Sequence, residues 1–237
     1  MLISFKKPYF SVENILIFLL FSFSLVAVVA EWRENHLFTV VFKPIVAVLL
    51  IVLYWLSSKR RDPIFFACCF FLLCTSIMMM NTSMLFVILG VISIVTFRIL
   101  LIVLILKLQN FKKIGITLLA IVPFLCIFSY LLFNSEGLPL NSHTVIMIQN
   151  VIVAVALGII VSLYINQSLS NNTVWLYIFG LLYASLYFLL LIEKCFLARF
   201  PLSHFEPLIM MLHVSCYYAF YKYALDMEDK SEFGTLL

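Results

Sequence analysis

The chain has 237 residues, of which 65% are hydrophobic and only 11% charged, against roughly 45–50% apolar and 25% charged in water-soluble domains. This composition, with a mean hydropathy of +1.17, excludes a soluble body, because water cannot be the main solvent for such a surface. The net charge of +4 does not point to nucleic acid, since the cations sit in short segments between apolar runs.

A membrane helix takes about 20 apolar residues, and eight runs can be marked off along the chain. The first, 15–30, follows Lys6 and Lys7 and closes on Val28, Val29 and Ala30, a weak cleavage pattern; its length predicts a retained span rather than a signal peptide. The second, 37–56, carries Lys43 ahead of Pro44. The third, 64–80, has Thr75 and Ser76 towards its end, and the fourth, 84–106, has Arg98 about two-thirds of the way along. Between the fifth, 114–133, and the sixth, 144–165, lies the longest predicted connection, Asn134 to His143, with Gly137 and Pro139. Gln149 and Asn150 open the sixth run, and Glu193 and Lys194 follow the seventh, 173–191. The eighth, 207–223, holds His213 and a tyrosine group, Tyr217, Tyr218, Tyr221 and Tyr223, that reads as an interfacial belt. Residues 226–237, with Asp226, Glu228, Asp229 and Glu232, are predicted to form a disordered acidic tail.

Uninterrupted apolar runs exclude a membrane barrel, whose strands alternate apolar and polar residues. The fold class is all-α: a single polytopic bundle of about eight spans over 1–225. With the N-terminus inside, Lys6, Lys7, Lys59, Arg60, Arg61, Lys107, Lys112, Lys113, Lys222 and Lys230 fall in inner segments and only Arg33, Lys194 and Arg199 in outer ones. Positive segments are retained in the cytoplasm, so both termini are predicted there, with the inner (plasma) membrane of a bacterium as the expected location. The six cysteines form no C-x-x-C pair and read as packing residues. His213 has no ligand partner at helical spacing, so no metal or other cofactor is expected.

Ionisable residues inside hydrocarbon cost at least about 2.5–3.5 kcal/mol and are the informative ones. At about 1.5 Å per helical residue, Lys43, Ser76, Gln149 and Asn150 all lie roughly 6–9 Å below the outer ends of their runs, with Glu193 at the boundary. This shared level predicts a wet pocket in which Lys43 meets Glu193, completed by Ser76, Gln149 and Asn150. Taken singly, each has a plainer reading: Lys43 snorkels, Glu193 pairs with Lys194 or Arg199 in water, Arg98 reaches inner phosphates, and the amides and hydroxyls join helices.

The order of these elements carries a resemblance. Phe42-Lys43-Pro44 resembles the Lys-Pro of the YhhN-like, or lysoplasmalogenase, membrane family. That family follows it with Gly-Asp, a Leu and Met run, and Phe-x-x-Gly with a His beyond; here the stretch Leu73 to Met80 is followed by Phe86, Gly90 and Arg98. Ser76 stands at the family's first Asp and Arg98 at its His. Its later Ser-Asp, Arg-Phe and Tyr-Tyr with a following Gln are matched by Ile192-Glu193, Arg199-Phe200 and Tyr217-Tyr218, with Tyr221 at the Gln. The resemblance implies hydrolysis of the vinyl-ether bond of lysoplasmalogens, or binding of a membrane lipid or lysophospholipid-like amphiphile without catalysis. Glu193 and Lys43 are the implied catalytic pair, with Ser76, Asn150, Gln149, Arg98, Tyr217 and Tyr218 around the substrate. The alternative from the charges alone is a small transporter or structural membrane subunit.

Overall fold

In the computed structural model, residues 12–33, 36–80, 83–108, 114–135, 140–166, 174–197 and 205–234 are described. Lys6, Lys7, Lys112, Lys113, Gly137, Pro139, Arg199, Phe200 and His204 lie outside them. Among the described residues the chain forms eight α-helices and no strand: α1 (Val12–Trp32), α2 (His36–Ser57), α3 (Pro63–Met78), α4 (Met84–Leu108), α5 (Ile114–Phe133), α6 (Leu140–Asn166), α7 (Val174–Ile192) and α8 (Phe205–Gly234). A π-helical turn, Glu193–Leu197, extends α7.

The helices follow the apolar runs because a backbone in hydrocarbon must satisfy its own hydrogen bonds. Pro44 and Pro123 stand inside α2 and α5, as membrane helices tolerate. Asp62 caps α3 by accepting from Ile64 N at 2.9 Å, with Pro63 in the first turn. Six helices, α1, α2, α4, α5, α6 and α7, are long and apolar enough to cross a membrane. The 16-residue α3 spans only about 24 Å against a hydrocarbon core of about 30 Å. The α6 helix begins at Leu140, so the connection before it is shorter than predicted.

Neighbouring helices pack as the hairpins α1–α2, α3–α4, α5–α6 and α7–α8. Further contacts of α2 with α3, α4 with α6, α6 with α7 and α8 with both α1 and α2 close these into a ring, with α5 outside against α6 and α7. The α5–α6 approach is close: a Cβ on Gly158 would fall 3.0 Å from Ile121 N, and Thr117 hydrogen-bonds Ser162 at 2.7 Å across the same seam. Large apolar side chains such as Phe18, Leu119 and Leu181 point outwards, as expected where lipid replaces water.

Two predictions at the C-terminal end are corrected. Helix α8 continues to Gly234, through much of the predicted disordered tail. Glu228 explains the extension: it is buried and accepts hydrogen bonds from Tyr54 and from Ser58 at 2.8 Å, which ties α8 to the α2–α3 turn. In that turn Ser58 Oγ accepts from Arg61 N at 2.8 Å, holding Arg61 at a φ of 51°. The tyrosine belt is also revised, since Tyr221 and Tyr223 are fully buried and Tyr221 reaches Glu13 at 3.4 Å. Tyr221 thus serves the α1–α8 contact and Tyr223 is buried inside the bundle, so neither faces lipid headgroups.

Candidate functional site

The ring encloses a cleft of about 920 Å³. Every helix except α5 contributes to its lining: Glu31 from α1, Lys43 from α2, Thr75 and Ser76 from α3, Arg98 from α4, Gln149 from α6, Tyr183 and Tyr187 from α7, and Glu206, His213 and Tyr217 from α8. Glu193 and Lys194 enter from the π-helical turn. This turn adds a residue to the helical repeat and so re-aims the side chains after Ile192. From Glu206 to Tyr217, both on the lining, α8 advances about 16 Å, so the cleft is elongated along the helix axes.

One end of the cleft is charged. Lys43 does not meet Glu193 as the depth argument predicts; its ion partner is Glu31, which is buried. Glu193 instead pairs with its neighbour Lys194 at 3.0 Å, although both Lys43 and Glu193 line the same cleft. The physical reason is position. Glu31 ends α1 beside the start of α2, so a side chain only a short loop away reaches Lys43 first. Glu206, in the first turn of α8 and just ahead of its apolar run, joins this group. Desolvation raises its pKa above the ordinary carboxyl range, and the nearby Glu31 and Glu193 push it further the same way, with Lys43 opposing.

The sign of that shift yields a prediction. A carboxyl that holds its proton more tightly folded than unfolded loses stability as pH rises from the ordinary carboxyl range through its raised value. Glu206→Gln removes this loss. The variant is therefore expected to melt above the parent at pH 8, with the difference shrinking towards pH 4.5, as read by thermal unfolding in detergent. A difference that widens on acidification would contradict the arrangement.

Deeper in the cleft Arg98 is only 5% exposed and turns to Gln149, so its guanidinium does not reach out to inner phosphates. Its Nη1 donates to Gln149 Oε1 at 2.9 Å, and its guanidinium lies 4.8 Å over the Tyr187 ring. Tyr217 lines the cleft and stacks on His213 with centroids 5.4 Å apart. Ser76 and Thr75 also line it, but their hydroxyls turn back to Leu72 O at 3.0 Å and Phe71 O at 2.8 Å.

Two expected members are elsewhere. Asn150 is buried between helices, accepting from Tyr187 Oη at 2.7 Å and donating to Phe128 O at 3.2 Å. Tyr218 faces α1 and α7, with its ring 5.2 Å from Phe21 and 6.1 Å from Trp175. Both sit one position after a residue that does line the cleft, and one helical step turns a side chain by about 100°. Glu31, Glu206, Tyr183 and Tyr187 were missed. The signal for the two glutamates was available, because each abuts an apolar run at the same boundary level as Glu193.

Fold and cleft together define a helical membrane protein with a ligand-sized cleft between its helices, charged at one end. Comparison with protein-family models, curated proteins and solved structures gave no match.

Proposed function

We propose that this chain is a YhhN-like integral membrane protein that crosses the bilayer eight times with both termini cytoplasmic, and that its cleft takes a single-chain, lysophospholipid-like amphiphile. The observation that carries this reading is the cleft itself: an elongated space of about 920 Å³ with apolar walls and a charged group at one end, the distribution that an amphiphile's chain and headgroup require. Lys59, Arg60, Arg61 and Lys107 lie in or beside the helix ends opposite that charged group, which supports placing the cleft's charged end outside. The short α3 is compatible with crossing, since a bilayer thins locally around a short span.

The activity implied by the resemblance is cleavage of a vinyl ether. That reaction delivers a proton to the vinyl carbon, forms an oxocarbenium ion, and directs a water to it, giving a hemiacetal that breaks down to aldehyde and alcohol. Glu206, which holds its proton above the ordinary carboxyl range, is suited to the first step. Glu193, at the same end of the cleft, is suited to directing the water, with Lys43 neutralising Glu31 beside them. The Ser76 hydroxyl, bonded back to its own helix, favours the second form of this reading, a relative that binds the lipid without cleaving it.

The test is to incubate the purified protein with lysoplasmalogen and quantify fatty aldehyde. Hydrolysis, together with a loss of about 100-fold or more in folded Glu206→Gln and Glu193→Gln variants, supports the enzyme. A folded parent protein that binds the lipid and releases no aldehyde leaves the binding form alone standing.

A further inference from the structure

Arg98 poses a problem that the protein does not solve by itself. It sits 14 residues into α4, about 21 Å along the helix and so near the middle of the bundle's depth. It is 5% exposed, and among the described residues no carboxylate stands within ion-pair distance of it. Gln149 satisfies one Nη1 donor, yet the buried Nε has no hydrogen-bond partner. A second buried donor stands against it: the hydroxyl of Tyr183, on α7, lies close enough to the Arg98 guanidinium to accept from it, yet its own proton has no acceptor. Both residues line the cleft. The other cations on the lining, Lys43 and Lys194 at the charged end, are already paired with Glu31 and Glu193.

An unpaired guanidinium in a low dielectric is costly to bury, and an orphaned donor adjacent to it compounds that cost. Two such donors, on residues of different helices that both line one cavity, are the complement of an oxyanion. Resting on the amphiphile reading above, we propose that Arg98 and Tyr183 form an oxyanion subsite deep in the cleft, and that the ligand carries a carboxylate or phosphate group that docks there. Gln149 and the Tyr187 ring orient the guanidinium, and Asn150 holds Tyr187 in place through its hydroxyl. The charged group at Glu31, Lys43, Glu193 and Glu206 is then the rim of the cleft, where the outer, cationic part of a headgroup lies, and the headgroup's anion is read by Arg98 below it.

The test compares palmitate, hexadecyl phosphate and hexadecanol, which share a chain and differ in head group, for binding to the full-length protein in non-ionic detergent. The expected result is that at least one anionic probe binds about tenfold or more tighter than the alcohol. Whichever anion binds best identifies the group as carboxylate or phosphate. Arg98→Gln, which keeps a hydrogen-bonding partner for Gln149, is expected to bring the anionic probe down to the level of the alcohol. Tyr183→Phe, which deletes only a hydroxyl, is expected to weaken the anion several-fold and leave the alcohol unchanged. Equal binding of all three probes, or a preference that persists in both variants, overturns the subsite and leaves the amphiphile cleft intact. Failure of all three to bind overturns the amphiphile reading, and the subsite with it.

Discussion

Lys43→Ala is expected to destabilise the protein by about 2–4 kcal/mol, measured by unfolding in mixed micelles. The loss follows from what remains behind. Glu31 is buried and paired with Lys43, and Glu193 and Glu206 line the same end of the cleft, so the variant leaves negative charge without its compensating ammonium. A fully buried pair would lose more, but the Lys43 side chain keeps 36% of its exposure, and solvent screens part of the attraction. The double variant Lys43→Ala, Glu31→Gln is expected to recover much of the loss, because it removes the orphaned charge. Were the double variant no more stable than the single, the Lys43–Glu31 pair could not be the reason for the loss.

Glu228→Ala is expected to cost about 1.5–3 kcal/mol, the range for hydrogen bonds to a charged group. The Glu228 carboxylate accepts from Ser58 through both oxygens, at 2.8 and 2.9 Å, and from Tyr54 as well. Tyr54 and Ser58 in turn accept from Asp62 N at 3.2 Å and Arg61 N at 2.8 Å, so the carboxylate anchors the α2–α3 turn as well as the end of α8. Removing it leaves two buried hydroxyls short of an acceptor. Tyr54→Phe should cost less, since Ser58 still holds Glu228. Thermal unfolding of Glu228→Ala that matches the parent would return this segment to the status of a solvated tail.

The membrane architecture was legible from the sequence, and the fine geometry of the site was not. The expected runs 114–133 and 84–106 correspond to α5 (Ile114–Phe133) and α4 (Met84–Leu108). Depth was legible too, because rise per residue is a property of any helix: Lys43, Ser76, Gln149 and Glu193 do line one cleft. Azimuth was not. Gln149 lines the cleft while Asn150 bonds Tyr187, and Tyr217 lines it while Tyr218 packs on Phe21. With apolar residues on all sides of each helix, no amphipathic stripe marks which face looks inwards.

The amino-acid sequence alone thus determined that the chain is helical and made for lipid, because solvent transfer and backbone hydrogen bonding act on each segment separately. Tertiary structure decided the partners: Glu31 rather than Glu193 for Lys43, and Gln149 and Tyr187 for Arg98. It also turned the acidic end of the chain into a helix by burying Glu228 against Tyr54. Pairing depends on the rotation and order of helices about the ring, and those are set by side-chain packing between segments far apart in the chain.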